Sequence, residues 1–193
     1  MRAGAAATAA FVAVVAGASL VPLPAIAIPF VDPASGFKVD PPQPYYLKPA
    51  KTNSYDLAVV IYSATGAPSV GAGNSYLCQV GYKSLPDNAD FDQEAINLEV
   101  QRPEWLENAA QAMSQTFDIT AKATFVLDGA TGIELVGKPK DPAHGSAVFV
   151  SMVDTPAGRT TLNCATRPEE IDKAVNQFRL IRSSITLPGT PHP

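Results

Sequence analysis

Apolar and polar residues alternate through six stretches of this chain, and alternation puts every second side chain on the same face of a strand. Residues 55–63 set Leu57, Val59 and Ile61 on one face and Val60 and Tyr62 on the other, which predicts a strand covered on both sides. Residues 75–84 continue the pattern, with Cys78, Val80 and Tyr82 sharing a face. Four more strands are predicted at 119–127, 132–137, 147–153 and 159–165, joined by the turn signals Asp128-Gly129 and Pro156-Ala157-Gly158 and by a polar loop at 138–145. The order is that of an antiparallel meander.

Between the second and third of these strands the period changes to that of a helix. Asp90, with Gln93 three residues later, predicts a capped start, and Phe91, Ala95 and Leu98 fall on one face of a helix ending near Val100. Pro103 suits the first turn of a second helix, whose stripe of Trp105, Ala109, Ala112 and Met113 reads as core packing for the single tryptophan. After the last strand, Thr166 and Glu169 form a Thr-x-x-Glu capping signature. Behind it Ile171, Val175, Phe178 and either Ile181 or Arg182 keep the 3.6-residue period, Ile185 lies one turn on, and Pro188 ends the helix.

The ends read differently. Residues 1–27 have the form of an export leader: Arg2, an Ala/Val/Leu-rich run, the breakers Pro22 and Pro24, and the small residues Ala25 and Ala27 at a cleavage site. The alternative, an uncleaved anchor, is disfavoured by those prolines, and no cysteine near the site offers a lipid attachment point. Residues 28–51 carry six prolines and read as an extended lead-in, with Gly36-Phe37-Lys38-Val39 as a short edge strand and Tyr45-Tyr46-Leu47 lying along the outside of the core. Those aromatics suit packing better than a ligand platform. A single α+β domain is expected over 52–187, with a loose tail over 188–193.

Charge narrows the function classes. The chain has 14 basic residues, one of them Arg2 in the leader, against 18 acidic residues that all lie beyond it. A clustered basic face is missing, so nucleic acid is excluded as a partner. Cleavage of the leader leaves no stretch for stable membrane insertion, and the expected product is soluble, monomeric, and periplasmic or secreted.

Cys78 and Cys164 are the only cysteines, and each shares a strand face with apolar residues. An even count in an exported chain favours a bridge between them, and two separate buried thiols are the alternative. Neither belongs to a Cys-x-x-Cys redox motif.

The remaining chemistry is sparse. His192 lies between prolines at the C-terminus, so a nucleophilic site would have to be built on His144 with Asp141 and Ser146 in the 138–146 loop. An exposed loop histidine is the simpler reading, and no Gly-x-Ser-x-Gly elbow is present. No zinc ligand set is apparent. Asp87, Asn88, Asp90 and Asp92 crowd a helix start without the spacing of a calcium loop, and Glu94, Glu99, Glu104, Glu107, Glu169 and Glu170 suit solvated helix faces. Neither catalytic, metal nor cofactor-binding residues are assigned. The loops at 66–74 and 138–145 are the nominated binding surface.

The Gly36-Phe37-Lys38-Val39 opening, the Trp105 helix, the strands at 132–137 and 147–153, and the closing strand and helix from Cys164 to Ile185 together resemble the PsbP-like superfamily. Its members include extrinsic photosystem subunits, Ran-binding Mog proteins and mycobacterial lipoproteins of the LpqN type. The resemblance spans residues 36–187 and implies an α/β/α sandwich, an antiparallel sheet of about six strands with helices on both faces. It also implies a docking or accessory role, with another envelope protein as the expected partner. The sequence therefore points to an exported, non-catalytic binding or accessory protein, with a small envelope hydrolase built around His144 as the alternative.

Overall fold

The structure, a computed structural model, describes residues 28–141 and 145–189. The leader expected over 1–27, His144, and residues 190–193 lie outside the described residues. Three short or edge strands come first: β1 (Phe30–Val31), β2 (Lys38–Val39) and β3 (Tyr45–Ala50). β4 (Leu57–Ser63) and β5 (Cys78–Ser84) follow, then a 3-10 turn at Pro86–Asp90, α1 (Gln93–Val100) and α2 (Pro103–Met113). The chain closes with β6 (Phe117–Leu127), β7 (Ala130–Pro139), β8 (Ala147–Thr155), β9 (Gly158–Thr166), α3 (Ile171–Arg182) and β10 (Ile185–Thr186).

Seven of the strands form one antiparallel sheet in the order β3-β4-β5-β9-β8-β7-β6, while β1, β2 and β10 form a small second sheet. The expected class is correct and the strand count is larger. The seventh strand of the main sheet is β3, drawn from the stretch read as a proline-rich lead-in. Prolines are tolerated there because β3 is an edge strand pairing only with β4, so a missing amide need not break a ladder on both sides. The small sheet likewise recruits lead-in residues, and Phe37 and Val39 are fully buried.

Polar loop residues at 138 and 139 also turn out to be strand: Lys138 belongs to β7 and pairs with Asp172 of α3 at 2.9 Å. At the β6–β7 corner Asp128 and Gly129 both take positive φ, 50° and 80°, as a tight hairpin of right-handed twist requires. The stretch after β10 is fastened to this corner, since Leu187 N donates to Asp128 Oδ2 at 3.1 Å.

One face of the sheet carries the main core. Val59, Ile61, Val80, Phe149 and Leu162 point to α3, which answers with Ile171, Phe178 and Ile181. Phe149 and Phe178 meet with ring centroids 5.8 Å apart. Among these apolar side chains sits Glu134, 3% exposed, accepting from Arg179 Nε at 3.1 Å and pairing with Arg182. Burial alone would raise its pKa, but the hydrogen bonds from Arg179 and Arg182 outweigh it and hold the carboxyl below its usual range. The Arg182 guanidinium also lies over the Phe125 ring, 3.7 Å from its centroid. Thus α3 is tied to the sheet by packing and by charge.

Cys78 and Cys164 are bonded to each other, from directly paired positions of β5 and β9. In the main sheet this is the one junction between strands that are not consecutive in the chain.

Two expected caps are corrected. The α1 cap is Asp92, whose side chain accepts from Ala95 N at 2.8 Å, whereas Asp90 ends the preceding 3-10 turn. The Thr166-Glu169 signature makes no capping box, because Thr166 is the last residue of β9 and its hydroxyl donates to Ser69 O at 2.7 Å. At that helix start Glu170 instead holds the 66–74 loop, accepting from Ser69 N at 2.8 Å and from its hydroxyl at 2.9 Å. Those bonds lower its pKa.

Candidate functional site

The opposite face of the sheet is only partly covered. α2 lies on β6 and β7, and α1 on β7 and β8. The expected phase of α1 is inverted: Ile96 and Val100 are buried against Ile133, while Phe91 and Leu98 are 57% and 61% exposed. Polar contacts explain the rotation. Asn97 accepts from Thr131 N at 2.7 Å and donates to Gly129 O at 2.9 Å, and Gln93 donates to Asp154 O at 3.2 Å, so this side of the helix must face the sheet.

Where α2 stops covering the strands, a groove opens. Its floor is made by Leu135 of β7 and by Val148, Val150 and Met152, the residues of β8 that alternate away from α3. Its wall is the small-residue side of α2, Ala109, Ala112 and Met113. The cavity measures about 650 Å³, within the range of small-molecule sites. Val148 and Val150 of this strongly apolar strand face the groove, while Met152, further along the same face, packs on the α1–α2 cluster of Ile96, Val100 and Ile133 and borders the groove from there.

The groove continues along the sheet. Ala109 and Met152 also border a recess of about 300 Å³ beside Trp105 and Arg159, and those two residues in turn border a hollow of about 590 Å³ with Phe91 and Leu98. Trp105 packs against the Ile96, Val100 and Ile133 cluster, as a core reading requires, yet it stays half-buried and forms part of this wall. Arg159 sits with its guanidinium 5.5 Å from the Trp105 ring centroid and makes two bonds to buried Asp154, at 2.7 and 2.8 Å. Those bonds raise the pKa of Arg159 and fix it as one half of a neutral pair.

The far end is polar, and none of the described residues lining it is charged. Gln79 and Asn163 face each other across β5 and β9, and Asn163 Nδ2 donates to the Tyr55 hydroxyl at 3.3 Å. The Tyr55 ring lies flat on Gly81, where a Cβ would come within 2.4 Å of it, so the glycine is what lets the ring approach. Ser146 Oγ donates to Ala72 O at 3.1 Å and accepts from Asn74 Nδ2 at 3.4 Å. The two loops nominated from sequence are therefore neighbours, and Asn74, Gly145 and Ser146 border the groove.

Of the residues proposed for a nucleophilic site, Ser146 is engaged with the 72–74 loop, Asp141 is exposed beyond the end of β7, and His144 lies outside the described residues. The acidic cluster is dispersed into local roles: Asp92 caps α1 and Asn88 donates to Thr155 O at 3.1 Å. Glu99 pairs with Arg102 at 3.1 Å, and Glu107 pairs with Lys122. Tyr46, read as packing, stacks on Tyr62 at 5.2 Å, with Lys48 Nζ 5.2 Å from the Tyr62 ring centroid. Among the described residues no helix is long and apolar enough to cross a membrane.

No protein-family model matches the chain, and no curated protein matches it. Solved structures do. The cyanobacterial PsbP protein CyanoP of Synechocystis superposes with a TM-score of 0.50 at 12% identity, covering 88% of this chain and 99% of that one. LpqN of Mycobacterium tuberculosis, involved in cell envelope biogenesis, superposes with a TM-score of 0.50 at 14% identity, covering 85% and 90%. At such identities the likeness is one of fold, and the fold is PsbP-like.

Proposed function

We propose that this chain is an exported, non-catalytic binding or accessory protein of the cell envelope, and that the groove beside α2 is its binding surface. The observation that carries this reading is the pair Val148 and Val150, which β8 turns towards a concave space that Met152 closes off at the edge of the α1–α2 cluster. Export is supported by the leader form of residues 1–27 and by the disulfide, which persists in oxidising compartments. An envelope role is supported by the fold shared with LpqN. The two loops nominated from sequence border the same groove, so loop and groove readings converge on one place.

The test is what the protein carries. Solvent extraction of protein purified from its native envelope, followed by mass spectrometry, is expected to release a ligand from the wild type and none from Ala112→Phe. Ala112 is exposed on the groove wall, so the added ring fills the groove without entering the core. Equal yields from both proteins would overturn the assignment of the surface. A hydrolytic activity that disappears in His144→Ala would overturn the non-catalytic reading.

A further inference from the structure

Resting on that reading of the groove, we infer that its ligand is a single-chain amphiphile with an uncharged, hydroxyl-bearing head, of the chemical class of a monoacylglycerol. The shape provides for the chain: the floor of Leu135, Val148, Val150 and Met152 and the wall of Ala109 and Ala112 are apolar along the length of β8. The chemistry of the far end provides for the head. The polar side chains bordering it are amides and hydroxyls, Asn74, Tyr76, Gln79, Ser146 and Asn163, and among the described lining residues none is charged. Amides both donate and accept, so they match hydroxyl and ester groups. A carboxylate or phosphate would be desolvated there, and no described lining residue supplies a cation to meet it. The guanidinium that lines the adjoining recess, that of Arg159, is already committed to both oxygens of Asp154.

A macromolecular partner fits less well. A peptide would present backbone amides and carbonyls along its whole length to a floor that offers them no partners.

Trp105 is the only tryptophan and stands where the recess joins the groove, so its emission reports occupancy. Purified leader-free protein is titrated, below the micellar concentration, with a twelve-carbon monoacylglycerol and separately with the fatty acid of equal chain length. Saturable binding of the monoacylglycerol is expected, with the fatty acid weaker by at least about tenfold, the cost of an unpaired charge. Ala112→Phe should abolish both, and Gln79→Lys, at a half-buried position of β5 bordering the head end, should reverse the preference by supplying the missing cation. Equal affinity for the two heads, an unchanged preference in Gln79→Lys, or no saturable response overturns the inference. If no amphiphile binds while Ala112→Phe still loses the ligand extracted from native protein, the groove assignment stands and only its ligand class is wrong.

Discussion

Where α3 crosses the sheet, Phe149 packs on Phe178 and Glu134 is gripped by two arginines, whereas on the other side of β8 Val148 and Val150 line open space and only Met152 reaches the helices. Two arrangements of one strand serve different ends. The α3 face spends its apolar residues on a closed core and adds a covalent bond and a buried ion pair. The α1–α2 face leaves part of its apolar surface without a covering element, and the polar groups at its margins are satisfied locally. The sheet thus carries a closed core on one face and an open groove on the other, and the proposed binding role of the groove makes no demand on the sealed side.

The contrast is sharpest if the sealed face is broken first. Replacing both Cys78 and Cys164 by alanine frees a loop with a sequence separation of 86 and should cost about 2–5 kcal/mol in a urea-unfolding experiment. Glu134→Ala leaves Arg182, whose side chain is only 12% exposed, without its acid, and a loss of about 3 kcal/mol is expected, again by unfolding. Because the folded pKa of Glu134 lies below its unfolded value, its contribution is complete above the unfolded pKa and is lost as pH falls through the folded one. Wild-type stability should therefore drop in acid, below the usual carboxylate range, and Glu134→Gln should lack that share of the slope.

The open face should respond more gently. Ile96→Ala, which removes the buried side of α1, is expected to cost about 2 kcal/mol, while Leu98→Ala on the exposed side should stay within about 0.5 kcal/mol. Equal losses at the two positions would restore the helix phase expected from sequence. Smallest of all, Ala112→Phe should leave the unfolding midpoint unchanged while removing the ligand, which separates recognition from stability.

How much of this could be read beforehand follows from which forces are local. Alternation located all six expected strands, and it put Cys78 and Cys164 on apolar faces because a period of two is imposed by the backbone itself. β3 escaped notice since Pro44 and Pro49 argue against strand unless the segment is known to lie at an edge, which is a tertiary fact. The Thr166 cap failed because a distant carbonyl, Ser69 O, competes for the hydroxyl. The α1 phase failed because Asn97 and Gln93 bind the sheet side, and no periodicity of apolar residues records that. Glu134 could have been suspected as an acid in the apolar run Gly-Ile-Glu-Leu-Val, with Arg179 and Arg182 three apart on the last helix. The groove left a fainter signal: Val148, Val150 and Met152 repeat an apolar residue on the face opposite Phe149, but the two short helices that precede them cover only part of that face.

The bond between β5 and β9 joins two meanders, β3-β4-β5 and β9-β8-β7-β6, at the one place where the sheet is not continuous along the chain. Tension applied to the two ends of the molecule accordingly runs from the first meander through Cys78 into Cys164 and out by way of α3. Everything between those cysteines, including α1, α2, β6, β7 and β8, stands off the load path. The groove floor on β7 and β8 and its α2 wall are thereby shielded by a single rung, while its Asn74, Tyr76 and Leu77 margin stays on the loaded side of Cys78.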